Sequence, residues 1–528
     1  MNYDFIIIGG GHNALVTATE LARAGKKVLL LEKHAQTGGA VLTEELFPGF
    51  RVSSGARDAA QFSPELAARL GLSRYGLEFI EPEAVLHAPA QGREGMTLWR
   101  DIEKTCASIR LFSEKDARRY PDFIAFVQRM CSALQAVLDV RPPDLSNPGL
   151  KTLLPLIRPA LKIRGLGRRD MMEFLRVLPM TIEELLSEWF ENDCLKGMLA
   201  MISSTGTELG AQSAGTAFLF LYHSLQSRSG IRAPRFVRGG MGALAAALEH
   251  AAVAAGAELR CRSEVSEITI KDGQVAAVCL ADGEEIRASR VISGLDPHTT
   301  FFQLVRAENL PVAFVRAVRA IRMRGVLARL ELAVDGLPYA PGTDSSHLAG
   351  QAVVCPSLDY LERAYDATKY GSMSEAPCLD VVIPTLSDPT VAPAGKHLIS
   401  INAQFAPHTL REGEWDDSMR QELQRRILQA LHELLPGIGE HILHSRLLTP
   451  VDMEDRFGMS GGDIFHGQMA LDQLFIMRPV PGWSRYRTPI RGLYLCGSGT
   501  HPGGGVTGAP GWQAAKAILA ADKDEQTA

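Results

Sequence analysis

Glycines near the start of the chain have the spacing of a phosphate-binding loop. Gly9, Gly11 and Ala14 follow a G-x-G-x-x-G/A pattern directly after the apolar run from Phe5 to Ile8. The first glycine permits a tight turn from a strand into a helix, and the second lets the backbone approach a pyrophosphate. Such a turn also directs the partly positive helix N-terminus toward the phosphates. The pattern predicts a dinucleotide-binding loop.

The residues around these glycines predict the strand–helix–strand unit that such a loop requires. Asn13 is predicted to cap the helix, and Gly25 marks its end. A second apolar strand from Val28 to Leu31 precedes Glu32, where a carboxylate accepts hydrogen bonds from a ribose. Because all these parts occur in order, nucleotide binding is favoured over a glycine-rich turn without a ligand.

A second cluster of glycines lies near the other end of the chain. The segment reads LYLCGSGTHPGGGVTGAPGWQAA, with a short buried strand predicted from Leu493 to Cys496 and a helix starting near Pro510. Such a density of glycines brings backbone N–H groups against a flat polar ligand, and the helix N-terminus there favours negative charge. The apolar residues on both sides argue against a flexible tail.

Two single residues are the catalytic candidates, since no pair of acid and base stands out. His501 lies in the second glycine segment, where it could orient a substrate or move a proton. The alternative is a histidine that only braces the loop. Asp58 follows Arg57 in a predicted strand and turn, and these two residues could simply pair with each other. His12, beside the phosphates, is expected to be structural.

The composition is typical of a soluble globular protein with more than one domain. A chain of 528 residues is too long to fold around one simple hydrophobic core, and the net charge of -5 gives no case for nucleic-acid binding. The eight cysteines form no C-x-x-C pair, so neither a redox dithiol nor a metal site is predicted. The first strand begins close to Met1, and no apolar run has the length of a spanning helix. We therefore expect a cytoplasmic protein without a signal or transit peptide.

The segment from Leu150 to Arg169 mixes leucines and isoleucines with basic residues. Its two prolines, Pro155 and Pro159, are predicted to prevent a long regular helix. A basic, apolar segment of this kind can lie on an anionic bilayer surface, which would give peripheral membrane contact. The alternative is an ordinary surface segment whose long cationic side chains cover the core.

The two glycine segments, with RGGMGAL between them, resemble the phytoene desaturase superfamily of FAD-dependent oxidoreductases. EKTCASIRLFSEKDARRY, LDQLFIMRPVPGWSRYRTPI and the THPGGG loop are most similar to two groups within it. One is the cyanobacterial-type β-carotene ketolases, and the other is named for pyridine nucleotide-disulfide oxidoreductase domain-containing protein 2. The resemblance covers nearly the whole chain and implies that both glycine segments bind one extended FAD.

The resemblance also implies which residues contact FAD. The pyrophosphate contacts are expected from Gly9, Gly11, Asn13 and Ala14, and the adenosine contacts from Glu32, Lys33 and Val265. Along the rest of the cofactor, the expected contacts are Gly38, Gly39, Ala40, Gly497, Ser498, Gly505, Val506 and Thr507. The third position of the first motif departs from glycine, since it is the small residue Ala14.

The implied fold class is α/β, with a Rossmann-like FAD-binding domain of the glutathione-reductase type that includes a β-meander and is discontinuous in sequence. A mixed α+β substrate domain with a helical part completes it. The expected bounds are 1–80, 231–300 and 456–528 for the FAD-binding domain. Those of the substrate domain are 81–230 and 301–455.

The activity implied by the resemblance is dehydrogenation or desaturation of an apolar small molecule, with a carotenoid-like polyene as one case. A hydride would pass to flavin N5, and oxygen, a quinone or another acceptor would reoxidise the flavin. The sequence contains no second strand–GxGxxG–helix unit for NAD(P)H. The alternatives are a carotenoid ketolase and a flavin-binding partner or regulatory protein of low turnover. The sequence carries no signal for oligomeric state.

Overall fold

A five-stranded parallel sheet forms the centre of the predicted nucleotide-binding part. The computed structural model describes residues 3–90, 93–143, 150–340 and 342–527. The sheet takes strands from the start, the middle and the end of the chain, as the discontinuous domain requires. Their order across the sheet is Leu493–Leu495, Val291–Ser293, Phe5–Ile8, Val28–Leu31 and Glu258–Arg260.

Alternate residues of the central strand face different layers. Phe5 and Ile7 pack against the helices His12–Arg23, Gly242–Ala254 and Ala509–Thr527. Ile6 and Ile8 pack on the other side, in a core that includes the meander. Because both faces of the parallel sheet are covered here, the neighbouring strands Phe5–Ile8 and Val28–Leu31 are apolar throughout, as the sequence predicts.

The predicted β-meander is present as an antiparallel sheet of three strands. Its strands are Val265–Lys271, Gln274–Leu280 and Glu285–Arg287. Asp272 and Gly273 make the first turn with φ values of 51° and 70°. Positive φ at both central residues is the requirement of the tight turn that joins two such strands, which explains the Asp-Gly sequence.

A seven-stranded sheet forms the second part of the molecule. All neighbouring strands in it are antiparallel except the pair Gln351–Val354 and Ala84–Ala90, which is parallel. The strand order is Ile442–Leu448, Leu327–Val334, His397–Gln404, Cys378–Val382, Gln351–Val354, Ala84–Ala90 and Arg93–Trp99. Two short antiparallel pairs complete the strands: the hairpin of Glu44–Phe47 with Phe50–Val52, and the pair of Phe79–Ile80 with Phe236–Val237.

A layer of helices packs beside this sheet and shares one apolar core with it. These helices are Ile102–Arg110, Glu114–Leu138, Leu150–Gly165, Gly167–Val177, Ile182–Trp189, Asp193–Ser204 and Thr216–Ser224. The other α-helices are Pro64–Leu70, Val312–Arg319, Ser345–Leu348, Leu358–Lys369, Asp417–Leu431 and Pro450–Phe457. The predicted fold class is confirmed, whereas the domain bounds stay predictions.

The prolines of the basic segment do not prevent a helix, and that prediction is wrong. Pro155 and Pro159 both lie inside the helix Leu150–Gly165. A proline inside a helix removes one hydrogen bond and costs about 3 kcal/mol. Pro159 is buried and Ile163 packs against the core, so tertiary contacts support the helix in spite of this cost. Within the described ranges, no helix has both the length and the apolar character needed to span a bilayer.

Candidate FAD and substrate site

The first glycine segment forms the turn from the strand Phe5–Ile8 into the helix His12–Arg23. Gly9 has a φ of 87°, which favours glycine, and a Cβ atom on Gly11 would meet nothing within 4 Å in the part of the chain that the structure describes. The prediction that Asn13 caps the helix is wrong, because Gly11 holds that position and no side chain caps the helix. The first N–H groups of the helix thus have no side-chain acceptor, which suits a phosphate.

Glu32 directly follows the second parallel strand, as the sequence predicts, and its side chain is buried. One of its carboxylate oxygens accepts a hydrogen bond from Gly10 N at 2.6 Å, and the other accepts one from His34 N at 2.8 Å. A carboxylate oxygen has two lone-pair sites, so both atoms can also accept from ribose hydroxyls. Glu32, Lys33 and Val265 all line one cavity.

Hydrogen bonds join the second glycine segment to the first segment and to the helical layer. Asn13 Nδ2 donates to Ser498 Oγ at 3.2 Å. The buried Arg478 donates from Nη2 to the Ser498 carbonyl at 2.8 Å, and the Tyr222 hydroxyl donates to the Gly504 carbonyl at 2.8 Å. The two glycine segments are therefore neighbours in space, as binding of one ligand by both requires.

One cavity of about 740 Å³ extends along both glycine segments. The predicted cofactor residues that line it are Gly9, Gly11, Asn13, Ala14, Glu32, Lys33, Gly39, Ala40, Val265, Ser498, Gly505 and Val506. Gly38, Gly497 and Thr507 are not among its lining residues. Gly38 instead donates to the Gly10 carbonyl at 2.8 Å, and a Cβ atom on Gly497 would lie 2.6 Å from the Gly294 carbonyl oxygen. These two glycines support the loops.

Of the five buried side chains on the cavity wall that have a polar atom without a hydrogen-bond partner in the described part of the chain, three lie in or beside the two glycine segments. They are His12 at Nε2, Asn13 at Oδ1 and His466 at Nδ1. Burial, and then the proximity of His466, lower the pKa of His12 to about 4, so its ring is neutral near pH 7. An unpaired buried polar atom costs about 1–3 kcal/mol, which a bound polar ligand removes. Together with the uncapped helix, these atoms fit the pyrophosphate and ribityl groups of FAD.

Two ion pairs also line the cavity, and sequence analysis did not predict either. Arg57 Nη2 pairs with Asp380 Oδ2, and Arg57 Nη1 donates to the Asp380 carbonyl at 2.8 Å. Asp58 Oδ2 pairs with Arg232 Nη2. The interpretation that Arg57 and Asp58 pair with each other is wrong. Burial would raise the pKa of Asp58, but Arg232, the Ala60 amide and Arg57 together hold it below its usual value.

Arg329 adds a third guanidinium to the cavity wall. Its Nε donates to Asn402 Oδ1 at 3.0 Å, and its Nη1 donates to the Ser54 carbonyl at 3.1 Å and to the Gly55 carbonyl. Burial, and then the charge of Arg57, lower the pKa of Arg329 to about 10. Arg329 therefore remains charged near pH 7 and fixes the backbone that leads into Arg57.

His223 is a cavity residue that sequence analysis missed. It lies in the helix Thr216–Ser224, whose side chains are all buried, so its surroundings in the sequence indicate only core packing. Burial and then the charge of Arg232 lower the pKa of His223 to about 3, so the ring is neutral near pH 7. Its Nε2 has no hydrogen-bond partner among the described residues.

The structure places His501 outside the cavity lining. Its Nε2 bonds to the Leu138 carbonyl at 2.9 Å, and its ring lies edge-on to Phe475. The Tyr486 hydroxyl donates to the His501 carbonyl at 3.1 Å. Burial lowers the pKa of His501 to about 4. These contacts hold the glycine-rich loop in place, which is the alternative role that the sequence suggests for His501. Among the described residues, no contact of His501 supports a catalytic role. Asp58, the other candidate, does line the cavity.

Comparisons with known proteins agree with this geometry. The family model described as flavin containing amine oxidoreductase matches residues 15–519. The chain is 35% identical to pyridine nucleotide-disulfide oxidoreductase domain-containing protein 2 of Rattus norvegicus, over 98% of this chain and 93% of the relative. It is 25% identical to 4,4'-diapolycopene oxygenase of a Methylomonas species, over 96% and 95% of the two chains. A solved oxidoreductase structure from Methanosarcina mazei has a TM-score of 0.60 at 18% identity, covering 98% of this chain and 99% of that one.

The structural match at 18% identity shows a shared fold, and the relatives confirm the resemblance to phytoene desaturase-like FAD oxidoreductases. These relatives do not test the more specific resemblance to the β-carotene ketolase group. Both glycine segments lie on one cavity whose unpaired polar atoms suit FAD, and the family model spans nearly the whole chain. The chain therefore belongs to the flavin-containing amine oxidoreductase family and is an FAD-dependent oxidoreductase.

Proposed function

We propose that the protein oxidises an amphiphilic small molecule, one that carries both an apolar part and an uncharged hydrogen-bond donor such as a hydroxyl group. FAD, when bound, supplies the hydride acceptor, and oxygen or a quinone takes up the electrons. The observation that carries this proposal is that Asp380 and His223 line the cavity, are buried, and each keep one polar atom without a hydrogen-bond partner among the described residues.

Both unpaired atoms favour a donor on the substrate. Asp380 Oδ1 can only accept a hydrogen bond while the carboxylate is ionised. The His223 ring bonds to the Ile202 backbone carbonyl, which engages one nitrogen as donor and leaves the neutral Nε2 as acceptor. A purely apolar substrate would bury both acceptors unpaired, at a cost of about 1–3 kcal/mol each.

The charges around these acceptors favour a neutral donor over an ammonium group. Each acceptor lies beside a guanidinium group, since Arg57 pairs with Asp380 and the charge of Arg232 acts on His223. An ammonium group bound by either acceptor would lie close to one of these guanidinium groups, and the repulsion is strong because the groups are buried. A hydroxyl group gains the same hydrogen bonds without this repulsion.

The apolar part of the substrate has its own surface on the cavity wall. Leu42, Leu327, Met453, Ile464 and Phe465 are apolar lining residues. Contact with them stabilises the complex by about 25 cal/mol for each square ångström of apolar surface removed from water. The Arg57–Asp380 and Arg232–Asp58 pairs fix the positions of the polar groups, so Asp58 acts mainly by holding Arg232.

Anaerobic reduction of the flavin tests this proposal. Long-chain alcohols, the matching amines and the matching hydrocarbons would be compared by the loss of flavin absorbance. We expect the alcohols to bleach the flavin fastest. In the Asp380→Asn variant, the rate at which alcohols at low concentration reduce the flavin should be about tenfold to a hundredfold lower than in the wild type. The reason is that a hydrogen bond to a charged group contributes about 1.5–3 kcal/mol.

Asp359→Asn is the matched control, since it removes a carboxylate that pairs with Arg363 on the exposed surface. It should leave the rate unchanged. Equal rates for alcohols and hydrocarbons, together with an Asp380→Asn rate that equals the wild-type rate, would contradict the amphiphilic substrate.

A carotenoid-like hydrocarbon is the second candidate. It is supported by the name of the Methylomonas relative, which gives diapolycopene as the molecule oxygenated by that protein, and by the apolar side chains on the cavity wall. A polyene desaturase would bleach its flavin with the hydrocarbon alone and without oxygen. A ketolase would require oxygen and would transfer an oxygen atom to the product, which mass spectrometry with labelled oxygen detects.

A further inference from the structure

Large apolar side chains are exposed on one face of the helix Leu150–Gly165. Leu154, Ile157 and Leu161 are 59%, 51% and 62% exposed. Residues three, four and seven positions apart lie on the same face of an α-helix, so these three side chains form one continuous stripe, the outer stripe. Clustered exposure of this kind marks an interaction surface more often than single exposed side chains do.

The outer stripe is separate from the face that holds this helix on the protein. Pro159 is buried, and Ile163 packs against the core of the helical layer. At 3.6 residues per turn, these two residues point about 140–180° away from Leu154 around the helix axis. The helix thus has two apolar faces, and the outer one has no described neighbour that buries it.

Positive charges flank the outer stripe. Residues 150–169 contain six lysines and arginines and no aspartate or glutamate, in a chain whose net charge is -5. Arg158 and Lys162 lie along one edge of the outer stripe, and Arg164 lies along the other edge. All three side chains are exposed. None of these three forms an ion pair with a described carboxylate, although Arg158 interacts electrostatically with Asp139.

The next helix, Gly167–Val177, continues the same pattern. Met172 and Leu175 are 57% and 54% exposed, and Arg168 lies on the same helical face. The opposite face of this helix is buried through Phe174 and Val177. Two successive helices therefore combine an inner face in the core with an outer face of apolar and basic residues.

We propose that the outer stripe docks on the surface of an anionic phospholipid bilayer. The helix lies in the plane of the interface, with its leucine and isoleucine side chains among the acyl chains and its cations at the headgroup phosphates. Charge selects this occupant over a second copy of the chain, because two copies would bring two strongly positive surfaces together. This docking is independent of the nature of the substrate.

Vesicle flotation with the full-length, FAD-loaded protein tests the proposal. We expect binding to vesicles of phosphatidylcholine mixed with phosphatidylglycerol, weak binding to phosphatidylcholine alone, and release at high salt. The triple variant L154Q/I157Q/L161Q should bind at least about tenfold more weakly. R158Q/K162Q/R164Q should bind about a hundredfold more weakly to the anionic vesicles, because each cation near such a surface contributes about a factor of five.

The matched control is L111Q/V312Q/Y370Q, which replaces three equally exposed apolar side chains elsewhere on the surface and should bind as the wild type does. Flavin absorbance verifies that each variant is folded. The proposal is overturned if the wild type does not float with anionic vesicles, or if the stripe variant floats as well as the control. A dimer that L154Q/I157Q/L161Q converts to a monomer, without any vesicle binding, would assign the outer stripe to a second copy instead.

Discussion

The side-chain amide of Asn13 donates a hydrogen bond to the hydroxyl of Ser498 at 3.2 Å, across 485 residues of sequence. The bond closes the wall of the FAD site at the point where the two glycine segments meet. The Thr17 hydroxyl, one turn further along the first helix, bonds to the Gly511 carbonyl at 3.0 Å and supports the same junction. The start and the end of the chain therefore form one continuous wall of the FAD site.

Asn13 should contribute directly to FAD affinity, because its Oδ1 is buried on the cavity wall and accepts no hydrogen bond from the residues that the structure describes. We expect Asn13→Ala to weaken FAD binding about tenfold, since a hydrogen bond and the contact with Ser498 are lost. Asn13→Asp should weaken it further, because its carboxylate repels the pyrophosphate. Titration of the apoprotein with FAD measures both effects, by quenching of flavin fluorescence.

Thr19→Val is the control for these variants, since Thr19 is buried in the same helix but bonds to the Leu15 carbonyl and does not line the cavity. It should bind FAD as tightly as the wild type. FAD affinities of Asn13→Ala and Asn13→Asp that equal that of Thr19→Val would show that Asn13 makes no contact with the cofactor.

Gly11 should be required for FAD and dispensable for folding. Its φ of -68° suits any residue, and a Cβ atom there would meet no atom of the described residues within 4 Å. The side chain of Gly11→Val would occupy the cavity, so we expect an apoprotein of unchanged melting temperature that no longer retains FAD. Gly439→Val is the control, because Gly439 is exposed and equally free of neighbours. A Gly11→Val protein that is as yellow as the control would contradict a phosphate site at this turn.

The nucleotide end of the site could be predicted from sequence because its geometry is local. Gly9, Gly11 and Glu32 belong to one strand–helix–strand unit, and the chemistry of a pyrophosphate fixes their spacing. The helix Leu150–Gly165 was not predictable in the same way, since the burial of Pro159 and the packing of Ile163 against the core outweigh the local cost of two prolines.

The substrate side of the site could not be predicted, because tertiary contacts create it. Arg57 pairs with Asp380 across 323 positions, and Asp58 pairs with Arg232 across 174. Each arginine has several carboxylates as equally plausible partners in the sequence. His223 has apolar neighbours in its helix and shows no motif, so only the fold reveals that it lines the cavity.

His501 should contribute to stability and not to the chemical step. In His501→Leu, the Leu138 carbonyl loses one donor but keeps the bond from Gln513 Nε2 at 3.0 Å. We expect the free energy of unfolding to fall by about 1–2 kcal/mol and kcat to stay within about twofold. Urea denaturation and steady-state kinetics measure the two quantities. His250→Leu, on the exposed surface, is the control. An unchanged stability with a large loss of kcat would restore the catalytic assignment.

Glu331 should make the stability of the protein depend on pH. Burial raises its pKa to about 7, from 4.5 in the unfolded chain, and its Oε2 has no partner among the described residues. Between these two values the unfolded chain releases the proton while the folded protein keeps it, so stability falls as pH rises. Glu331→Gln cannot release a proton and should escape this loss.

We therefore expect the free energy of unfolding of Glu331→Gln, relative to the wild type, to rise by about 2–3 kcal/mol from pH 4.5 to pH 8. Urea denaturation at several pH values gives this difference directly. Glu375→Gln, which changes an exposed carboxylate, should show no such trend. The charges of Arg329 and Arg57 stabilise the ionised form of Glu331 and oppose the effect of burial. A difference that stays flat across this range would mean that these arginines keep Glu331 ionised in the folded protein.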